Sequence, residues 1–258
     1  MASTDDVILV PHTTIRRRIA RHMAASSSAA PHAYAMTDVD YSAVDMARRA
    51  HAARWRQELG YSLTYLPFVA RAVAVGIEQY QQLNARYTDG GLELRSDVGL
   101  GVAVDLNFEG LIVPVVRQAN TLSVPALAQA INGLAGRTRD GKLRGTDVTG
   151  GTFTLSNPGP FGARTTLPII NQPQVAIITV DAIASRPAVV PDGEGGQALA
   201  IRPIGNLTLA WDHRAFDGAY AASALRAIRT VLESHDWRPE FDSWSLAAQD
   251  ESVASPAA

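Results

Sequence analysis

The chain has 258 residues, of which 47% are hydrophobic and 19% charged, and its formal net charge at pH 7 is -2. These values are typical of a soluble globular domain and give no electrostatic reason to expect nucleic acid or an anionic membrane as a partner. The chain contains no cysteine, which excludes disulfides, thiolate metal sites and a cysteine nucleophile. No apolar run approaches the roughly 18 residues that a membrane span needs, so a cytoplasmic protein is expected.

The first third of the chain is mainly helical in pattern. Residues 1–8 are small and polar and are interpreted as a disordered linker. A helix is predicted next, because Ile15, Ile19 and Met23 recur at helical spacing. The pattern then predicts a strand in 31–42, helices in 42–58 and 64–84, and a turn at 87–91.

The rest of the chain mixes strands with helices. Three strands of one sheet are predicted in the stretches LELRS, VGLGVAVD and GLIVPVV. A helix (123–138), a strand entering a Gly/Pro loop (150–162), a central strand (175–183), a Gly-rich hairpin (187–198), the strand GNLTLAWDH, a helix (217–234) and a polar tail (246–258) follow. Because there is no strict βαβ rhythm, the order favours an α/β (α+β) fold, with a mixed β-sheet flanked by helices, over a parallel doubly wound fold.

Several familiar functional motifs are missing. The stretch VGLGVAV contains Gly99 and Gly101 but continues as a strand, so it is no dinucleotide fingerprint, and there is no GxxxxGK[ST] phosphate loop. The histidines form no HExxH motif, and no metal site is expected. Thr154 occupies the place of the first glycine in a G-x-S-x-G elbow around Ser156. Nucleotide-driven and serine-hydrolase chemistry are therefore disfavoured.

The segment WDHRAFDG, residues 211–218, places a histidine where a strand pattern gives way to a helix pattern. An imidazole is a natural general base at neutral pH, and strand ends project side chains into clefts. On pattern alone, His213 is also compatible with a structural role, and Asp217 with a role as N-cap of the last helix. The residues indicate an acid–base site without defining its reaction.

Several blocks of the sequence resemble a known family. DHRAFDG resembles the D-H-R-x-x-D-G signature of dihydrolipoamide acyltransferases, the core-forming components of 2-oxo acid dehydrogenase complexes. GGTFTLSNPGPFG resembles the family's G-G-T-F-[ST]-[IL]-[ST]-N-x-G segment, and TIRRRIARHM, APHAYAMTDVD, YLPF, LNARY and GLIVPVV resemble other blocks in the same order. The resemblance implies a catalytic domain over residues 9–245, with the chloramphenicol acetyltransferase-like fold of coenzyme A-dependent acyltransferases.

The resemblance also implies the reaction and the catalytic residues. An acyl group would move from S-acyldihydrolipoamide to coenzyme A. His213 would be the general base that deprotonates the thiol, Ser156 would stabilise the tetrahedral oxyanion, and Asp217 would fix the histidine loop by charge pairing or capping. In the family, the histidine and serine of one site come from neighbouring subunits of a homotrimer, and coenzyme A and the lipoyl arm enter from opposite ends.

The coenzyme A contacts implied by the family fall on Ser156, Asn157, Arg48, Thr64 and Asp105. A further polar contact of the family falls on Ala135, and Pro158 and Pro160 replace hydrophobic residues. The chain therefore departs from the family at one end of the cofactor site and in the loop beside the serine.

The resemblance implies a multienzyme setting. The implied partners are a lipoyl domain, the decarboxylating dehydrogenase and dihydrolipoamide dehydrogenase, around trimers that either stay as bare trimers or assemble further into a larger hollow core. No lipoyl or subunit-binding motif is found here, so we expect an excised core or a stand-alone enzyme whose lipoyl domain lies elsewhere. The acyl group that is transferred is left open among acetyl, succinyl and branched-chain acyl, and the segment GGTFTLSN favours branched-chain.

Two alternatives compete with this interpretation. A free-standing O-acetyltransferase of the chloramphenicol type shares the fold and an H-x-x-x-D-G core, but the flanking Asp212 and Arg214 and the TFTLSN block favour the lipoamide enzyme. A scaffold protein that keeps only the assembly role is disfavoured by the intact His213 and Ser156.

Overall fold

The computed structural model describes residues 7–242 and residue 244. The helices are α1 (Thr14–Ala29), α2 (Ser42–Leu59), α3 (Leu66–Gln79), α4 (Val124–Arg139), α5 (Gly218–Ser234) and α6 (Pro239–Asp242). The strands are β1 (His32–Asp40), β2 (Ala85–Thr88), β3 (Gly91–Leu94), β4 (Leu100–Val102), β5 (Val104–Asp105), β6 (Leu111–Ile112), β7 (Val115–Val116), β8 (Phe153–Ser156), β9 (Ala176–Val180), β10 (Ala184–Pro191) and β11 (Gln197–Asp212). The predicted tail 246–258 and residues 1–6 of the predicted linker lie outside the described residues.

The main sheet is mixed, as the sequence predicted. Its strand order is β1-β11-β9-β8-β4-β7, and β10 pairs with the first half of β11. Strand β8 runs parallel to β9 and β4, whereas the other neighbouring strands are antiparallel. Every residue of β9 is buried, which confirms the central strand predicted from its uninterrupted apolar run.

The helices cover this sheet and bury its apolar side chains. Helix α5 packs on β1 and β11 and lies beside α3, which in turn contacts α4. Phe68 of α3, Leu209 of β11 and Ile228 of α5 are fully buried in one continuous core. Burial of a side chain of this size contributes about 1.5–3 kcal/mol each. The core therefore fixes the position of the sheet ends on which the candidate site residues lie.

Helix α1 differs from the others. The helix predicted there is confirmed, and its N-cap is Thr13, whose hydroxyl accepts the Arg16 backbone N–H at 3.1 Å. Its apolar stripe is not part of the core, because Ile15 is exposed and only Ser26 of this helix is buried. The Ser26 hydroxyl donates to the Ile170 carbonyl at 2.6 Å and so attaches the helix by its C-terminal end.

Two predictions are wrong, one about the end of a helix and one about which strands share a sheet. The helix predicted over 64–84 ends at Gln79, because Tyr80 leaves the helical region (φ -124°, ψ 70°), and a separate 3₁₀ turn follows. The predicted strands before residue 117 do not all join one sheet: β2 pairs with β3, β5 pairs with β6, and only β4 and β7 enter the main sheet. Pro114 contributes to this split, because it has no N–H to donate and lies between β6 and β7. In the described part of the chain, no helix is long and apolar enough to cross a membrane.

Candidate functional site

His213 lies on a short loop between β11 and α5. Its backbone N–H donates to the Pro31 carbonyl at 3.0 Å, and its ring centroid is 5.9 Å from that of Trp211. The side chain is 49% exposed. The backbone is thus held in place while the imidazole stays open to a substrate or to a second chain.

The bonds that hold this loop come from Asp212, whose side chain is 1% exposed. Its carboxylate accepts the Arg214 backbone N–H at 3.0 Å and an Arg214 guanidinium N–H at 2.7 Å. The Arg214 guanidinium lies 4.3 Å over the Tyr87 ring, and its hydrogen bonds to Asp212 raise its pKa. The Asp212 backbone N–H also donates to the Val175 carbonyl at 2.8 Å. This role of Asp212 was not predicted, although the opposite charges on either side of His213 were a signal for it.

Asp217 makes few contacts in the single chain. It occupies the N-cap position of α5, but within the described residues its side chain makes no capping hydrogen bond, so the capping alternative is wrong. The remaining contact joins its Oδ1 to the His213 Nδ1 at 3.8 Å, and the Asp217 side chain is 91% exposed. Within one chain, this carboxylate faces the imidazole across a long, solvated distance.

Ser156 is the last residue of β8 and is partly buried. The loop that follows is tightly built: the Asn157 Oδ1 accepts the Gly159 backbone N–H at 3.2 Å. A Cβ at Gly159 would lie 2.9 Å from the Asp181 carbonyl oxygen, so only glycine permits this approach of the loop to β9. A single 3₁₀ turn spans Gly159–Phe161 and contains the second of the two unusual prolines.

A cavity of about 410 Å³ opens beside this loop. It is lined by Asn157 and Asp181 at the ends of the strands, by Thr64 before α3, and by one face of α4. The α4 residues include Ala135, where the family's polar contact is missing, together with Asn132 and Arg139. The sequence analysis missed Asn132 and Arg139, which lie three residues before and four after Ala135 and therefore share its face of the helix.

Arg48 is close to this cavity but does not line it. Its guanidinium bonds the Asp45 carboxylate at 2.6 Å and lies 4.8 Å over the ring of Tyr65, which does line the cavity. The Tyr65 hydroxyl donates to the same carboxylate at 2.7 Å. Although burial opposes it, the hydrogen bonds from Tyr65 and Arg48 lower the pKa of Asp45. Arg48 is therefore engaged by a negative charge of its own chain.

Asp105 ends β5 and lies outside the cavity. Its carboxylate accepts the Phe108 backbone N–H at 3.2 Å within its own hairpin. The Phe108 ring lies 5.9 Å from Phe161 of the loop after Ser156. Asp105 thus shapes a hairpin that packs beside the serine loop.

The two predicted catalytic residues lie at opposite ends of the sheet. Ser156 pairs with Thr179 of β9, and Thr179 pairs with Thr208 of β11, whereas His213 follows Thr208 by five residues. At about 3.3 Å per residue, this separates them by about 16 Å along the strands, besides two strand spacings of about 4.8 Å across the sheet. We call the end of the strands that carries Ser156 the serine end, and the opposite end, which carries His213, the histidine end. One chain cannot bring these two side chains onto the same reacting atoms.

The sequence matches a known protein family. The profile described as 2-oxoacid dehydrogenases acyltransferase (catalytic domain) matches residues 4–237. The chain is 35% identical over 227 residues to the lipoamide acyltransferase component of the branched-chain alpha-keto acid dehydrogenase complex of Bacillus subtilis, a match that covers 88% of this chain. It is 36% identical over 220 residues, 84% of this chain, to the dihydrolipoyllysine-residue acetyltransferase component of the pyruvate dehydrogenase complex of the same organism. The chain spans about half the length of these relatives, 52% and 48% respectively.

Solved structures agree with this match. A probable dihydrolipoamide acetyltransferase from Listeria monocytogenes is 34% identical with a TM-score of 0.83, and the match covers 90% of this chain and 97% of that one. The cubic core of a pyruvate dehydrogenase multienzyme complex gives the same TM-score at 30% identity, covering 90% and 94%. A chloramphenicol acetyltransferase, at 11% identity and a TM-score of 0.50 over 83% of this chain and 94% of that one, is similar in fold alone. The predicted fold class is confirmed.

Proposed function

Because this chain belongs to the family of 2-oxoacid dehydrogenase acyltransferase catalytic domains, we propose that it transfers an acyl group from S-acyldihydrolipoamide to coenzyme A. The observation that carries the proposal is the placement of Ser156 and His213 at opposite ends of one sheet. In a site formed between two copies, the Ser156 of one chain and the His213 of another act on the same substrate. The proposed assembly is a homotrimer, in which the histidine end of each copy meets the serine end of the next around a closed ring.

The chemistry follows from the side chains at the two ends. The imidazole of His213 takes the proton from the coenzyme A thiol, and the thiolate sulfur then attacks the thioester carbonyl carbon. The Ser156 hydroxyl donates a hydrogen bond to the oxyanion that forms, which stabilises the tetrahedral intermediate. When the intermediate collapses, the bond to the dihydrolipoamide sulfur breaks, and the imidazolium returns its proton to that sulfur.

Coenzyme A is proposed to occupy the cavity of about 410 Å³ at the serine end. Thr64, Asn157 and Asn132 offer hydrogen bonds there, and Arg139 offers a positive charge for a phosphate group. Arg48 and Asp105 are proposed to act from the edge of the site, since Arg48 supports the Tyr65 ring and Asp105 supports the hairpin beside the serine loop. Asp217 is proposed to orient His213 weakly.

We further propose that this activity belongs to a multienzyme complex. We take residues 9–245 as the catalytic unit of a cytoplasmic complex, with a lipoyl domain, a decarboxylating dehydrogenase and dihydrolipoamide dehydrogenase as partners. The similarity to a cubic core supports assembly of trimers into a larger hollow particle. The acyl group is proposed to be branched-chain, which the branched-chain relative at 35% identity supports.

The test measures acyl transfer in the reverse direction. The purified chain is given dihydrolipoamide with acetyl-, succinyl- or isobutyryl-coenzyme A, and His213→Ala protein serves as the matched control. We expect acyl-dihydrolipoamide from the active chain, fastest with the isobutyryl donor, and almost none from the variant. Transfer only to an alcohol such as chloramphenicol, or no transfer by folded trimers with any of the three donors, would overturn the proposal.

A further inference from the structure

A second cavity, of about 300 Å³, lies at the histidine end of the sheet. Its walls come from the start of β2, the segment after β3, Arg117 after β7, the Gly150–Thr152 stretch before β8, and Pro173–Gln174 before β9. The Val175 carbonyl, next to Gln174, accepts the Asp212 backbone N–H at 2.8 Å. We call this cavity the arginine pocket. None of its lining residues lines the cavity assigned to coenzyme A.

The lining of the arginine pocket is strongly positive. Three arginines, Arg86, Arg95 and Arg117, line it together with a single acidic residue, Asp97. Glu93, outside the lining, lies 3.8 Å from the Arg95 guanidinium, but both side chains are about half exposed, so solvent screens this pair. Positive charges that line one pocket and outnumber its negative charges repel one another, and a bound anion lowers this repulsion.

The positive groups stand on an ordered framework. Asn84 is fully buried, and its amide donates to the Arg95 carbonyl at 3.0 Å and to the Asp97 carbonyl at 2.9 Å. On the opposite wall, the Arg117 guanidinium donates to the Thr146 carbonyl at 2.9 Å. These bonds use neutral carbonyl groups, so they fix the segments without neutralising the Arg117 guanidinium.

Neutral donors complete the pocket. Gln174 is 5% exposed, and its Oε1 accepts the Thr154 hydroxyl at 2.6 Å. Its side-chain nitrogen has no acceptor among the described residues, and neither do the backbone N–H groups of Gly150 and Gly151. The glycines keep these donors open, because a Cβ at Gly151 would lie 3.2 Å from the Gln174 nitrogen. The pocket therefore offers many donors and little to accept from a ligand.

We propose that the arginine pocket binds a small phosphoryl anion, a phosphate or diphosphate group, at a site separate from coenzyme A. Guanidinium groups recognise phosphate oxygens through paired hydrogen bonds, and backbone N–H groups and an amide add neutral donors to the same oxygens. Three guanidinium groups on separate segments match the several charges of a diphosphate. The volume is at the lower end of the range for small-ligand sites, which favours a compact anion.

The experiment titrates inorganic pyrophosphate into the full chain by calorimetry, with saturating coenzyme A present. We expect saturable binding that the double variant R86A/R95A weakens at least about tenfold. The matched control R56A/R226A removes two exposed arginines outside the pocket and should leave this binding unchanged. Because the substituted side chains are exposed, both double variants should fold, which circular dichroism verifies.

A second variant tests the neutral donors. Gln174→Glu keeps the acceptor for the Thr154 hydroxyl but places a carboxylate in the pocket, and it should abolish the binding of pyrophosphate. The proposal is overturned if the unaltered chain shows no saturable binding at millimolar pyrophosphate, if R86A/R95A and Gln174→Glu bind as well as the control, or if coenzyme A competes for the site.

Discussion

The two ends of the main sheet carry different halves of the proposed chemistry and are built differently. At the serine end, Ser156 is partly buried beside a cavity that side chains from α3, α4 and β9 enclose. At the histidine end, His213 is half exposed, and hydrogen bonds to its backbone and to its neighbour Asp212 fix its position. The serine end resembles a binding site without a base, whereas the histidine end presents a base without a binding site for the thiol. In the proposed mechanism, two distant motifs of the sequence therefore act on one reaction.

The largest effect should follow from removing the base. We expect His213→Ala to lower kcat about 10³- to 10⁴-fold, because general-base catalysis supplies rate enhancements of this order. The stability of the protein should not fall, because the exposed ring contributes little to packing. Acyl-transfer kinetics and thermal unfolding check both parts.

Mixing subunits tests whether the two ends meet between chains. His213→Ala and Ser156→Ala subunits, unfolded together and reassembled at equal amounts, should recover about a quarter of the unaltered activity, because random assortment pairs two intact residues at about that fraction of sites. Each variant reassembled alone is the control. A mixture no more active than its two parents would mean that each site lies within one chain.

The next effect concerns the oxyanion. Ser156→Ala should lower kcat about 10²- to 10³-fold with a small change in KM, since the hydroxyl bonds the intermediate more strongly than the ground state. Ser185→Ala, on an exposed part of β10, is the matched control and should keep full activity. If Ser156→Ala instead raised KM and spared kcat, the hydroxyl would serve binding and not the transition state.

Asp212 should matter more than its more distant neighbour Asp217. Asp212→Asn keeps the side-chain oxygen that accepts the Arg214 backbone N–H but weakens the bonds to the guanidinium. A hydrogen bond to a charged group contributes about 1.5 kcal/mol or more, which corresponds to a loss of about tenfold in kcat if it acts through the position of His213. The KM for coenzyme A should stay unchanged, and the activity–pH profile should keep its shape. A change confined to KM would contradict a role in positioning the histidine.

At the serine end, Arg139 should affect binding and not chemistry. Arg139→Ala should raise the KM for coenzyme A up to about tenfold, because one charge-assisted contact to a phosphate is lost, while the KM for dihydrolipoamide stays constant. Arg226→Ala, which removes an exposed arginine of α5, is the control. Equal effects of both substitutions would place the phosphate groups elsewhere.

The sequence indicated both ends, and the resemblance implied that neighbouring subunits share the site, but neither predicted the distance between the ends within one chain. An uninterrupted apolar run located the central strand β9, because such a strand is buried on both faces. Helical patterns located α2, α4 and α5, because burial of one helix face dictates a period of 3.6 residues. The family motifs indicated Ser156 and His213. The separation of about 16 Å depends on strand register and on β8 running parallel to β9, which long-range pairing decides and local pattern does not. For the same reason the sequence did not reveal Asn132 and Arg139, because what singles them out is that they line a cavity formed between α4 and distant parts of the chain.

Asp217 offers the smallest and sharpest test of how the histidine end works. The sequence suggested a carboxylate that fixes the loop, but the structure shows a side chain that is 91% exposed and 3.8 Å from the imidazole. An exposed ion pair contributes about 0–1 kcal/mol, so Asp217→Asn should lower kcat less than about fivefold and leave the melting temperature unchanged. A much larger loss of kcat in assembled trimers, with the KM of both substrates unchanged, would mean that a neighbouring chain excludes water from this ion pair and shortens its contact. The size of this one effect therefore reports how closely the histidine end of one copy is covered by the next.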